Sequence, residues 1–126
     1  MYSRHLDREP ESAYDLFARG TKLLAEGHPH QAALVLSRAK LLEPEKGSIR
    51  EALGRALFMS GRVGSARREF AKAVALDPTN DYAHFALGLA CARTGEHSRA
   101  VAHLRLAVAM RPGVEHYREA LARSVG

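Results

Sequence analysis

The chain has 126 residues and 46% of them are hydrophobic, so one domain with a buried core is expected rather than a disordered segment. Its 19 basic and 14 acidic residues give a net charge of +5, too small an excess to indicate nucleic-acid binding by itself. Cys91 is the single cysteine, which excludes an intrachain disulfide and favours a reducing, cytoplasmic setting. No uninterrupted apolar run approaches the roughly 18 residues of a membrane span.

Residues 1–12 are polar and lead into the first helical pattern, with Pro10 tolerated near a helix start. Tyr2 and Leu6 are apolar side chains within this charged segment. The segment is expected either to fray or to anchor through these two side chains in the groove of this chain or of a neighbour.

Five columns of residues recur along the chain with a step of 34. Pro44, Pro78 and Pro112 form one column, and each should end a helix because proline lacks the backbone donor and disfavours helix before it. The other columns are Gly20, Gly54 and Gly88; Gly27, Gly61 and Gly95; Ala32, Ala66 and Ala100; and Ala39, Ala73 and Ala107. The period predicts three structural repeats.

The two glycine columns predict different features. The column that begins with Gly20 lies inside helical patterns, where glycine costs about 1 kcal/mol relative to alanine, so a close approach of two helices is expected there. The column that begins with Gly27 should end helices, because the left-handed conformation at a helix end is readily adopted by glycine.

These columns resemble the tetratricopeptide repeat over residues 13–114. The family's Leu-Gly pair is present as Leu53-Gly54 and Leu87-Gly88, and its Ala-x3-Phe pattern runs from Ala66 to Phe70. The family's tryptophan position holds Leu16, Arg50 and His84, and its tyrosine position holds Leu23, Leu57 and Cys91.

The resemblance implies an all-α fold, a right-handed α-solenoid of three helix-turn-helix repeats with a seventh, capping helix. The repeats would occupy residues 13–46, 47–80 and 81–114, and the capping helix residues 114–125. The implied helix pairs are 13–26 with 29–42, 47–60 with 64–76, and 81–94 with 97–110. In the capping helix, Tyr117, Ala120 and Leu121 would cover the last pair.

In this family the first helices of successive repeats line a concave groove that binds a partner. Spacing along those helices then predicts the groove residues Tyr14, Phe17, Thr21, Leu24, Glu51, Arg55, Phe58, Met59, Tyr82, Phe85, Leu89 and Arg93, with His116, Glu119 and Arg123 from the capping helix. Five of the eight aromatic residues fall in this set, which indicates an apolar interaction patch. The alternative is that Tyr14, Tyr82 and Phe85 pack as ordinary core.

The resemblance predicts a protein-interaction module or adaptor that binds a peptide or helix of a protein partner. One alternative is a self-associating oligomer. A second is RNA or anionic-surface binding by the outer face, whose cations are Arg38, Arg67, Arg68, Lys72, Arg99 and Arg105. Some family members hold a partner's C-terminal carboxylate with lysine, asparagine and arginine. Those positions here hold Phe17, Thr21, Ala52, Tyr82 and Ala86, so C-terminal chaperone tails are not expected to bind.

No catalytic, metal or cofactor site is predicted. His28 and His30 lack a third ligand nearby, and His97 and His103 are six residues apart, which does not place them on one helix face. Cys91 is expected to be a buried, inert thiol. With no phosphate loop or nucleophile motif, the protein is expected not to be an enzyme and to carry no cofactor.

Overall fold

The computed structural model describes residues 10–125, and the structural statements below concern those residues. Seven helices and no strand are present in this range. They are α1 (Ala13–Ala25), α2 (Pro29–Leu42), α3 (Gly47–Met59), α4 (Val63–Leu76), α5 (Asp81–Arg93), α6 (His97–Met110) and α7 (Glu115–Val125). Each helix begins and ends within one residue of the bounds implied by the resemblance, and the all-α solenoid is confirmed. Tyr2 and Leu6, the expected anchors of the leading segment, lie outside the described residues.

Each helix packs against the next one along the chain, and the first helices of the pairs also contact one another in the order α1, α3, α5, α7. The chain therefore stacks as three helical hairpins covered by α7 at one end. α1 begins with a capping box, in which the Ser12 hydroxyl accepts from the Asp15 amide and the Asp15 carboxylate accepts from the Ser12 amide.

The core of each hairpin is a glycine packed against a large apolar residue. A methyl group added to Gly54 would lie 2.6 Å from Cε1 of Phe70. One added to Gly20 would lie 2.5 Å from Cγ of Leu36, and one added to Gly88 would lie 2.7 Å from Cγ of Leu104. The predicted close approach of the two helices is confirmed. The second glycine column is confirmed as well: Gly27, Gly61 and Gly95 have φ of +82°, +84° and +83°, the left-handed region that favours glycine.

At one equivalent position, where the two helices of a hairpin meet, each of the three hairpins has a different pair of residues. In the first repeat Leu16 and Val35 are buried side by side in an apolar cluster. In the second, at the same step of 34, Nη1 of Arg50 donates to Oε1 of Glu69 at 3.0 Å. Lys40 donates to the other oxygen of Glu69 at 2.8 Å, so this carboxylate, only 11% exposed, is held by two cations.

The third repeat places two histidines at this position. His84 is buried, and its ring stacks on that of His103 with the two Nδ1 atoms 3.1 Å apart. Nε2 of His84 lies 2.8 Å from the carbonyl oxygen of Pro78, which can only accept. In the neutral pair, His84 therefore donates through Nε2 and accepts at Nδ1 from His103.

The polar residues at the family's tryptophan position also hold the turns between repeats. Nε of Arg50 donates to the carbonyl of Pro44 at 2.9 Å, as His84 does to the carbonyl of Pro78. Arg118, one step of 34 further along, donates to the carbonyl of Pro112. Each of these three side chains thus contacts the carbonyl oxygen of the proline that precedes its helix. That oxygen lies in the turn between repeats and takes no part in the hydrogen bonds within the helices.

The last helix covers the third hairpin as expected. Tyr117 is 4% exposed, and its hydroxyl donates to the Asp81 carboxylate at 2.7 Å. Burial, followed by this contact with Asp81, raises the pKa of Tyr117. The Tyr117 ring stacks on Phe85 with centroids 4.7 Å apart, and Ala120 is buried beside it. α7 therefore closes the core with a directed hydrogen bond in addition to apolar contact.

Candidate functional site

Two adjoining depressions open on the side of the solenoid formed by α3, α5 and α7. The first has a volume of about 80 Å³ and is lined by Arg55, Phe58, Met59, Phe70, Tyr82, Ala86 and Leu89. The second has a volume of about 590 Å³ and is lined by Phe58, Leu89, Ala92, Arg93, His97, Ala120, Arg123 and Ser124. Because both include Phe58 and Leu89, they form one continuous surface, which we call the α3–α7 groove.

The centre of the groove is a half-buried aromatic ring covered by a cation. Phe58 packs against the main hydrophobic core, and the guanidinium carbon of Arg93 lies 5.1 Å from its ring centroid. This is a cation–π contact, which fixes the arginine over the ring without using its N–H donors. Met59, which is 55% exposed, and half-buried Leu89 and Tyr82 extend the apolar floor on either side.

The charges around the groove are of one sign. Arg55, Arg93 and Arg123 line it, no aspartate or glutamate does, and none of these arginines has a carboxylate within 4.0 Å among residues 10–125. Burial raises the pKa of the Tyr82 hydroxyl, and nearby Arg55 lowers it while Glu51 raises it further. The Glu51 carboxylate, however, accepts from the Asn80 side-chain amide at 2.8 Å. The groove is therefore apolar at its floor and cationic at its edge.

The outer face is less cationic than its composition predicts. Four of its six cations are within 4.0 Å of a glutamate: Arg38 with Glu11, Arg67 and Arg99 with Glu96, and Lys72 with Glu45. Within residues 10–125, these glutamates partly neutralise the outer face and so weaken its attraction for a phosphate backbone.

Tyr14 and Phe17 line a separate depression at the other end of the molecule. Its volume is about 170 Å³, and its other lining residues are Ala13, Glu43, Lys46, Ser48 and Ile49. Tyr14 is 77% exposed, whereas Phe17 packs partly against both apolar clusters of the core. The expected stripe of aromatics is therefore divided into two areas.

Besides Tyr14 and Phe17, four predicted groove residues lie elsewhere or have local partners. The prediction for Leu24 is wrong: it is 5% exposed and part of the main core, because its position on α1 faces α2. Thr21 donates its hydroxyl to the Ala18 carbonyl at 3.0 Å, and Phe85 is half-buried against Tyr117. Glu51, as described, is held by Asn80.

Of the capping-helix residues, Arg123 lines the groove, whereas His116 packs edge-on against Phe85 and Tyr117. Sequence reasoning missed five other lining residues: Phe70, Ala86, His97, Ala120 and Ser124. Arg123 lies two steps of 34 after Arg55, so the repeat period carried the signal for α7. Phe70 and His97 belong to second helices, for which the first-helix spacing holds no information.

The groups considered for chemistry lie apart from the groove. Cys91 is fully buried, and desolvation raises the pKa of its thiol, which leaves it protonated and inaccessible. No group of three histidine, cysteine, aspartate or glutamate side chains in residues 10–125 is arranged to hold a metal ion. No helix in the same range has both the length and the apolar character needed to span a bilayer.

The family model for the tetratricopeptide repeat matches residues 17–81 and 60–115, which is most of the chain. The chain therefore belongs to the tetratricopeptide repeat family. No curated protein sequence matches it significantly.

Solved structures with the same fold include MamA, 24% identical with a TM-score of 0.88, over 98% of this chain and 72% of that one. The first TPR of Spaghetti (RPAP3), bound to the HSP90 peptide SRMEEVD, is 17% identical with a TM-score of 0.86, over 93% of both chains. YrrB, described as a TPR protein with an unusual peptide-binding site, is 24% identical with a TM-score of 0.81, over 88% of this chain and 57% of that one. These identities establish a shared fold.

Proposed function

We propose that the protein is an interaction module whose α3–α7 groove binds a short segment of a protein partner. The observation that carries the proposal is the continuous apolar floor from Met59 through Phe58 to Leu89, placed on the first helices of two adjacent repeats. Exposed apolar surface of this kind is typical of interaction sites. Two structures with the same fold, the RPAP3 domain with its HSP90 peptide and YrrB, are described as peptide-binding, which supports the same use here.

The packing explains how such a groove could bind without rearranging. Phe58 is backed by the main core, and Phe70, at the floor of the first depression, is 2% exposed and fixed against Gly54. A receptor surface that is already ordered loses little conformational entropy on binding. For one small, reversible interface we expect a dissociation constant in the micromolar range.

The proposal includes no chemical step and no cofactor, in keeping with the buried thiol of Cys91. The alternatives of self-association and of RNA binding by the outer face have no comparable observation in their favour. On the outer face, ion pairs such as Arg67 with Glu96 already neutralise part of the positive charge that RNA would need.

The test is affinity capture from a lysate of the source organism with the native protein, Met59→Glu and Leu34→Glu. Met59 lines the groove, whereas Leu34 lies on α2 and lines none of the depressions described; they are 55% and 72% exposed, so both charges are compatible with folding. Circular dichroism checks that each variant is folded, and quantitative mass spectrometry compares the captured proteins. Partners retained by the native protein and by Leu34→Glu but lost by Met59→Glu are expected. Equal recovery by all three would show that recognition lies outside the groove.

A further inference from the structure

We propose that the segment bound in the α3–α7 groove is acidic, with an aliphatic side chain in the first depression and side-chain carboxylates that bind Arg55, Arg93 and Arg123. This inference rests on the proposed function and narrows it to one class of partner. Its basis is the combination of one small apolar pocket with three cations that lack counter-ions in the described part of the chain.

The size of the first depression indicates an aliphatic anchor. Its volume of about 80 Å³ is about half of the roughly 150 Å³ that holds a benzene ring in an apolar cavity. Phe58, Tyr82 and Leu89 surround it and Phe70 closes its floor, so the contact surface is mostly apolar and Arg55 is its one charged lining residue. One leucine-, isoleucine- or valine-sized group fits this space better than an aromatic ring.

The charges select the groups beside that anchor. Arg55 lies at the first depression, and Arg93 and Arg123 line the second, so cations are present on both sides of the shared residues Phe58 and Leu89. Several cations elsewhere in the chain have a carboxylate of their own: Lys40 and Arg50 contact Glu69, and Arg67 and Arg99 contact Glu96. In the groove the chain supplies none among residues 10–125, so a partner's carboxylates would form charge-assisted bonds without displacing an internal partner.

The position of Arg93 adds a geometric reason. Its guanidinium carbon lies 5.1 Å from the centroid of the Phe58 ring, and this contact restricts the side chain before a ligand arrives. A restricted guanidinium loses less entropy when it binds a carboxylate than a freely rotating one. We expect side-chain rather than terminal carboxylates, because two of the clamp positions that the resemblance implies hold the buried alanines Ala52 and Ala86.

The experiment is selection from a phage-displayed library of random dodecapeptides against three proteins. They are the native chain, Arg55→Gln/Arg93→Gln/Arg123→Gln, and the control Arg62→Gln/Arg68→Gln/Arg105→Gln. The control removes the same charge from arginines that line neither depression and have no carboxylate within 4.0 Å in the described range. Selected peptides are then synthesised, and their affinities measured by fluorescence polarisation, also against Met59→Glu.

The expected result is enrichment of aliphatic residues flanked by aspartate or glutamate on the native chain and on the control. Affinity should fall at least about tenfold in the groove variant, from the loss of three exposed or partly exposed charge contacts. Amidating the peptide's C-terminus should leave its affinity unchanged. Peptides that depend on Met59 but carry no excess of acidic residues, or that lose binding on amidation, would overturn this inference and leave the proposed function intact. If no selected peptide is sensitive to Met59→Glu, both fail.

Discussion

Exchanging Arg50 and Glu69 for the residues at the equivalent position of the first repeat should leave the fold nearly as stable as it is. That exchange is Arg50→Leu/Glu69→Val, because Leu16 and Val35 occupy the same place one step of 34 earlier. A buried ion pair is costly to desolvate, and replacing it with well-packed apolar residues is often neutral or stabilising. Lys40 also loses its carboxylate, but it is 30% exposed and stays hydrated, so we expect the double variant to lie within about 1 kcal/mol of the native free energy of unfolding.

The single variant Glu69→Val should behave very differently. It would leave the Arg50 side chain, 16% exposed, and the Lys40 ammonium without their shared carboxylate. Breaking a buried pair in this way costs about 3–5 kcal/mol. Arg50 keeps its bond to the Pro44 carbonyl and Lys40 is 30% exposed, so the lower end, about 3 kcal/mol, is expected. For a domain of this size that corresponds to a fall in Tm of about 12 °C.

Urea denaturation followed by circular dichroism at constant pH measures all members of the cycle, including Arg50→Leu alone. The coupling free energy between the two positions should be about 3 kcal/mol, with m-values unchanged. A double variant as unstable as Glu69→Val would show that the position requires the ion pair, and a loss below about 0.5 kcal/mol in Glu69→Val would show that the carboxylate is not needed there.

Two further predictions use the same assay. Gly54→Ala should lower the free energy of unfolding by about 1–2 kcal/mol, because the new methyl group meets Phe70 at 2.6 Å. Gly64→Ala, whose methyl group would have nothing within 4 Å, should raise the free energy of unfolding by up to about 1 kcal/mol. A Gly54→Ala variant as stable as the native chain would contradict the close packing. Burial, His84 and then Arg99 lower the pKa of His103 in the native state below its ordinary value of 6.5, so the unfolded chain binds more protons and stability should fall as pH drops below about 6.5. His103→Asn should weaken this dependence, and an unchanged slope of unfolding free energy against pH would refute the assignment.

The fold could be predicted because its determinants are local and periodic. Gly27 and its equivalents require a left-handed backbone, and Gly54 and its equivalents require a large neighbour such as Phe70. Both requirements show in sequence as residue types at a fixed step. The bounds of the helices came from the resemblance to the tetratricopeptide repeat that these columns carry, and they agree with the structure within one residue.

The site could be predicted only in part, because burial on a first helix depends on the helix beside it. Spacing alone places Leu24 and Leu89 on similar stripes, yet Leu24 is in the core and Leu89 lines the groove. The stacking of Arg93 on Phe58 and the contribution of His97 involve residues far apart in sequence or on a second helix. No pattern within one helix reports such contacts. Which of the groove residues bind a partner stays a prediction.

The polar replacements of the family's tryptophan also escaped prediction as a group. Arg50 and His84 read as single departures from a motif. Only the packed hairpins show that each has a matching partner, Glu69 or His103, and that each supplies a donor to the carbonyl of the preceding proline.

Chains built from similar repeats risk pairing in the wrong order while they fold, with the first helix of one repeat against the second helix of another. The different residue pairs of the repeats, Leu16 with Val35 and Arg50 with Glu69, make such exchanges unfavourable. Arg50 opposite Val35 would bury a cation without a carboxylate, and Leu16 opposite Glu69 would bury a carboxylate without its arginine. We therefore expect Arg50→Leu/Glu69→Val, which gives the first and second repeats the same pair at this position, to refold from urea with a slow or aggregating fraction that the native chain lacks. Identical refolding traces would contradict this. If the double variant refolds as expected, the three different pairs contribute to the specificity with which each first helix packs against the second helix of its own repeat.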